Sequence, residues 1–257
     1  MRLFHLTLFL SALILQSGFA QVTKKPILFL GSELISKNKL PQLVKFLVEE
    51  ASQFTLVEPY LYAPAGFRMQ WMNTFENAYN FGEAKKFWSI PNIKKYAILQ
   101  ERPEVLLSDH IKAIQPLENA VLEFTQDKRD PYILNCTPYL LCPYLPKEKA
   151  DQQEALNEKL QKLADQRKIV ILPVAQIWRE IESKNEKLYL YHANDEFPSQ
   201  YGTYLTACVI LEKVFKISAV GRPTTFEVPT LPVPLKYQLN PEQAKIIQNA
   251  VHEVCWK

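Results

Sequence analysis

Glycine is scarce in this chain, with six residues in 257 against 18 prolines. Turns that need left-handed backbone are therefore few, and the loops are stiffened by proline. Cysteine is sparse too. The four cysteines, at positions 136, 142, 208 and 255, form no Cys-x-x-Cys pair and sit in no Cys/His cluster, which excludes the common structural zinc sites. No metal and no cofactor is expected. Neither sign of charge dominates, since 30 Lys and Arg stand against 27 Asp and Glu. That balance argues against a nucleic-acid partner and against a membrane-surface one. Beyond the first residues no run is long and apolar enough to span a bilayer, so no stable membrane insertion is expected. Internal repeats and low-complexity segments are also absent.

The chain opens with MRLFHLTLFLSALILQSGFA: one charge at Arg2, an apolar run from Leu6 to Leu15, then Ser17, Gly18 and Ala20. This is a signal-peptide pattern over residues 1–20. It predicts export to the periplasm or medium after cleavage near Ala20. No Cys follows the cleavage region, which argues against a lipoprotein anchor. Residues 21–257 are expected to form one domain, and 47% hydrophobic content is ample for its core. In an exported chain an even number of cysteines permits disulfides. Cys136 and Cys142 are read as flanking a loop and could pair, with Cys255 competing, while Cys208 reads as a core thiol.

Periodicity sets out the rest. Pro26–Gly31 reads as a buried strand, and Leu40, Leu43, Val44, Leu47 and Ala51 as a helix face laid on it. Further strands are expected at Thr55–Val57, Tyr96–Leu99, Pro131–Cys136 and Lys168–Pro173. Helices are expected at His110–Phe124, started or kinked by Pro116, at Ala155–Leu163, and, amphipathic, over the stretch 200–215. Between Tyr60 and Trp88 aromatic residues crowd without a period, as core packing or a lid. Residues 222–239, with four prolines, should be an extended wrapping segment. A closing helix over 240–256 opens with Asn240 as N-cap, Pro241 and a capping-box Gln243. Alternating strands and helices predict a three-layer α/β/α sandwich around a five-stranded, mostly parallel sheet of flavodoxin-like type.

Five blocks resemble the SGNH (GDSL-like) hydrolases. PSQYGTYLTACVILEKVF is similar to the segment after that family's catalytic Asp and His, Asp-Gly-x-His-Pro-Ser, two residues, then Gly-Thr-Tyr-Leu. Pro198, Ser199, Gly202, Thr203, Tyr204 and Leu205 match, but the Asp position holds Asn194 and the His position Phe197. FLGSELISKNKLP resembles the opening block, with Gly31, Leu40 and Pro41 in register and Glu33 in place of the nucleophilic Ser. Gln100-Glu101 resembles a block whose Gln lies at the site, where the wider family has an oxyanion donor. ILPVAQIW, with Ala175 for a Gly, resembles the Pro-Val-Gly-x-x-Trp segment that precedes the final loop, and LNPEQAKIIQNAVHEV resembles the closing helix.

The resemblance implies acyl transfer by a hydroxyl nucleophile, an imidazole base and an orienting carboxylate. Glu33, Phe197 and Asn194 supply none of these. Ser32 lies one position from the elbow, and His192 is two residues before Asn194; His110 and His252 are placed by no motif. The implied protein is an exported, catalytically degenerate SGNH-like protein that binds or scaffolds, with small-molecule, glycan or acyl-ester ligands. The alternative is an ester or glycan hydrolase with a rebuilt acidic site, since Glu33, Glu101, Asp195 and Glu196 all follow strands. In that reading Gln100 donates to the ligand and His192 assists. A third reading has the aromatic 60–88 region packing on a protein partner.

Overall fold

The protein's structure is a computed structural model that describes residues 22–63, 86–87, 90, 93–108, 115–125, 136–185, 187–192, 197–230 and 232–256. The leader at 1–20, most of the aromatic segment, His110, Asn194, Asp195 and Glu196 lie outside the described residues.

Five strands form one sheet in the order β2-β1-β3-β4-β5. They are β1 Thr23–Leu30, β2 Thr55–Tyr62, β3 Lys95–Leu99, β4 Cys136–Leu141 and β5 Val170–Leu172, and every neighbouring pair is parallel. A parallel sheet buried on both faces needs continuous apolar runs. Ile27 to Leu30 and Ala97 to Leu99 supply them, each at most 1% exposed. Leu30 pairs with both Tyr62 and Leu99, so residues 31–33 and 100–102 leave the sheet side by side.

Seven helices are described: α1 Leu40–Ala51, α2 Pro103–Leu106, α3 Gln115–Thr125, α4 Gln153–Arg167, α5 Val174–Lys184, α6 Gln200–Phe215 and α7 Pro241–Cys255. The β1–α1–β2 crossover runs one way along the sheet, and β3–α3–β4–α4–β5 runs the other. Right-handed crossovers then place α1 on one face and α3 and α4 on the opposite one. α1 packs on α6, which with α5 and α7 completes its layer; α3 packs on β4 and α4. This is the three-layer α/β sandwich expected from the alternation.

Several local expectations change. α6 is not amphipathic: Gly202 to Glu212 are buried without a break. A helix enclosed by α1, α5 and α7 has no solvent face to pattern. The described fourth strand runs from Cys136 to Leu141, and of the segment expected, Pro131–Cys136, only Cys136 falls within the described residues. Pro138 hides it, because proline in an inner strand forfeits a ladder hydrogen bond, yet here it sits opposite Ala97. Cys136 and Cys142 therefore bracket an extended strand rather than a loop, about 20 Å apart at strand rise, beyond disulfide reach. All four cysteines are free thiols.

The wrapping segment contains an antiparallel hairpin, β6 Thr225–Val228 with β7 Leu235–Gln238. Its prolines fall outside the two strands, and Phe226 stacks on Phe46 at 4.6 Å and on Tyr237 at 5.1 Å. Asn240 caps α7 as expected, accepting from the Glu242 and Gln243 amides at 2.9 and 3.2 Å. Gln243 does not close the box. Its amide donates to the Lys187 carbonyl at 3.2 Å, and the Asn240 N–H goes to the Tyr201 hydroxyl at 3.0 Å.

The free thiols make a test. Cys142 donates to Asn157 Oδ1 at 3.2 Å, and burial pushes its pKa up from 9.0 to about 12. Below pH 9.0 the thiol is protonated in both states; above it the unfolded chain ionises first. Stability should thus fall as pH rises from 9 towards 12, by at most about 1.4 kcal/mol per pH unit for this thiol. Urea midpoints should show that fall, and Cys142→Ala should make it shallower. An unchanged slope in the variant contradicts the assignment.

Candidate functional site

In an open parallel sheet the site is built from residues just past the carboxyl ends of the strands. After β1, a Cβ at Gly31 would stand 2.7 Å from the Gln100 carbonyl oxygen and 2.9 Å from Gln100 Cβ. The glycine is there because two strand ends approach closely. Ser32 then caps a 3-10 turn over Glu33–Ile35. Its Oγ accepts from the Leu34 amide at 3.4 Å and donates to Gln100 Oε1 at 3.2 Å. Buried to 1% exposure, the hydroxyl is committed to this cap. Glu33 follows, at the mouth of a cleft of about 440 Å³.

Arg102, Pro103 and Glu104 from the end of β3, Tyr144, Pro146, Glu148 and Lys149 from the end of β4, and Phe197 complete the lining with residues 32–34. Glu33 Oε1 is 3.6 Å from Arg102 Nη2, and Arg102 Nε is 3.4 Å from Glu104 Oε2. One guanidinium thus serves two carboxylates. Glu33 Oε2 is buried with no hydrogen-bond partner among the described residues, a costly state that a ligand donor would relieve. The Tyr144 hydroxyl is in the same condition. Its ring stacks on Trp178 at 3.8 Å, and burial holds the phenol well above its usual pKa of 10.0. Lys37 Nζ lies 3.8 Å from the centre of the Phe197 ring, a cation–π contact.

The loop before α6 is closed at its base. His192 donates its backbone N–H to the Phe197 carbonyl at 2.7 Å, and Ser199 to the Leu190 carbonyl at 2.8 Å. Ser199 Oγ caps α6 by accepting from the Tyr201 and Gly202 amides at 3.1 and 3.3 Å. A Cβ at Gly202 would be 2.3 Å from both the Leu190 carbonyl oxygen and Trp178 Cη2. The Ser and Gly of the matching block thus have reasons in packing alone.

Of the residues singled out from sequence, Glu33 and Phe197 meet in the cleft. Gln100 lies beneath it, 2% exposed, with Oε1 held by Ser32. Glu101 does not face the cleft as expected: it is 1% exposed and Oε1 turns back to the Arg102 amide at 2.7 Å. His192 is exposed and is not part of the lining. Among the described residues the acids that line it are Glu33, Glu104 and Glu148. Tyr144, Glu148 and Lys149 enter the cleft from the chain after β4, where no sequence motif marked them.

Asn38 was missed as well. At φ 46°, ψ 29° it is left-handed, a conformation asparagine tolerates, and that tolerance was its only sequence signal. Its Nδ2 donates to the Pro198 carbonyl at 2.8 Å and to Thr203 Oγ1 at 2.9 Å, while its carbonyl accepts from the Tyr237 hydroxyl at 2.7 Å. The first loop, the last loop and the hairpin meet on this residue, through its side-chain amide and its backbone carbonyl.

No family model and no curated protein sequence matches the chain. Solved structures do. A protein described as an SGNH hydrolase, from Slackia heliotrinireducens, superposes with a TM-score of 0.57 at 17% identity, over 74% of this chain and 98% of that one. A variant of an acetyl xylan esterase from Geobacillus stearothermophilus gives 0.55 at 11%, over 76% and 96%. A protein described as a GDSL-like lipase, from Parabacteroides merdae, gives 0.52 at 14%, over 75% and 97%. The fold is SGNH-hydrolase-like.

Asn38→Ala should cost about 3 kcal/mol, from two lost hydrogen bonds and left-handed strain. Asn38→Gly should recover about 1 kcal/mol of that, the strain part. Urea denaturation of both variants checks this, and equal losses would remove the strain component.

Proposed function

We propose that the protein is an exported SGNH-like protein that has lost ester hydrolysis and uses the cleft to bind. The observation that carries this reading is the state of Glu33. It stands where the family's nucleophile would be, tied to Arg102 through one oxygen, with the other oxygen buried and unpartnered among the described residues. A carboxylate there accepts hydrogen bonds from a hydroxyl-bearing ligand. It cannot form the acyl-enzyme that a serine would. Phe197, at the position of the base, carries no proton, and Lys37 above it adds positive charge where an imidazolium would have to develop. Asn194, at the position of the orienting acid, carries no charge.

A glycan or acylated-glycan ligand suits this lining. Hydroxyls meet Glu33 and the Tyr144 phenol, and the Phe197 ring offers a flat apolar surface. Acetyl xylan, the substrate class of one structural neighbour, is the first ligand to try. Export is supported by the leader at residues 1–20; among the described residues no helix is long and apolar enough to cross a membrane.

The acids lining the cleft favour a second reading, a glycan hydrolase. It is weakened by Arg102, which lies against both Glu33 and Glu104, so the two carboxylates that must divide into acid and base share one cation. A bell-shaped pH–rate profile on glycans would support it.

The deciding assay is aryl-acetate hydrolysis by the natural protein beside the triple variant Glu33→Ser, Asn194→Asp, Phe197→His. The natural protein should be silent, and the variant should exceed it by at least about 10²-fold. Turnover by the natural protein that Glu33→Gln abolishes would overturn the reading.

A further inference from the structure

The five strands all begin at one end of the molecule, opposite the cleft, and α1, α4, α6 and α7 end there. Seven large hydrophobic residues are exposed among the described residues, and five of them, Val22, Phe54, Val170, Val220 and Trp256, belong to this end. Phe54 and Trp256 are 53% and 55% exposed. They are fixed rather than loose. The Thr23 amide donates to the Phe54 carbonyl at 2.7 Å, the Trp256 amide to the His252 carbonyl at 3.1 Å, and Lys213 Nζ to the Cys255 carbonyl at 3.0 Å. The turn carrying Val220 is held from inside by Glu212, which accepts the Ala219 amide at 2.7 Å, and by Gln248, which accepts that of Gly221 at 2.9 Å. Arg222 joins the same turn to Glu50 of α1 at 2.7 Å.

Lysines share the face. Lys94, Lys168 and Lys216 are exposed on it, and Lys25 and Lys94 flank the Tyr96 ring at 5.8 and 5.7 Å. Glu50 and Glu58 are each paired with a cation, Glu212 is buried, and Asp165 and Glu253 are exposed acids of these helix ends. Lys168 and Lys216 follow α4 and α6, where a cation offsets the helix dipole, so helix capping alone accounts for them. It does not account for five apolar side chains held in water around them.

We propose that this end is a docking face for an anionic lipid bilayer. Phe54, Trp256, Val22 and Val220 sit at headgroup level, where aromatic and aliphatic side chains gain most. Lys94, Lys168 and Lys216 lie over lipid phosphates. The near balance of charge over the whole chain is a sum that hides where the lysines lie. Docked this way, the cleft faces away from the membrane, whatever it binds.

The test is co-sedimentation of the full chain, purified as its host processes it, with vesicles of phosphatidylglycerol and phosphatidylcholine and with vesicles of phosphatidylcholine alone. Binding should be at least about tenfold tighter on the anionic vesicles and should weaken steeply with salt. Phe54→Ser with Trp256→Ser should lower it at least about tenfold at an unchanged urea midpoint, while Tyr189→Ser with Val233→Ser should not. No binding, equal binding to both vesicles, or binding the first pair leaves intact overturns the proposal. So does self-association that the first pair abolishes, which would give the face to a second copy of the chain.

Discussion

The carboxyl end of the sheet depends on one seam, where residues 31–39 meet residues 197–204. Asn38 closes it, with its amide on the Pro198 carbonyl and Thr203 and its own carbonyl taking the Tyr237 hydroxyl. The seam fixes the start of α6, whose burial on every side leaves no room for adjustment: Gly202 already touches Trp178 and Leu190. Tyr191 carries the constraint to the end of β4 by donating to the Leu145 carbonyl. Glu33, Phe197 and Tyr144 face one cleft because three loops are anchored to one another, and none of those anchors is itself a reactive group.

On the proposed reading, this separation explains how a hydrolase-like frame can outlive its chemistry. Gly31, Ser199 and Gly202 are held by close backbone approach and by helix capping. Those demands persist whether or not a proton moves. Glu33 and Phe197 line the cleft rather than the hydrophobic core, so a change of residue there costs the fold little. Here the replacements take up mutual contacts, Glu33 with Arg102 and Phe197 with Lys37. Exposed pairs of this kind contribute only about 0–1 kcal/mol, weak enough for a ligand to compete with them.

The layer order and most elements were legible because apolar runs and helical spacing are local signals. α1 and α7 were readable nearly to the residue, from Leu40 with Pro41 and from the Asn240 cap. The reading went wrong where tertiary context overrides local pattern. Pro138 is tolerated in an inner strand, α6 loses its polar face to enclosure, and Gln243 is drawn to Lys187 instead of back to its cap. In the site, Glu33 and Phe197 could be found through the spacing of their neighbours. Arg102, Glu104, Tyr144 and Asn38 carry no motif, and only the folded loops bring them together.

The most direct measurement of the central claim is an NMR titration of the natural protein with an O-acetylated oligosaccharide, following protein shifts and ligand acetyl signals in the same tube. The account expects saturable shifts at residues around Glu33 and Phe197 while the acetyl groups stay bound to the sugar for the whole experiment. Release of free acetate at a rate set by the protein concentration would contradict it, and so would shifts confined to residues remote from the cleft.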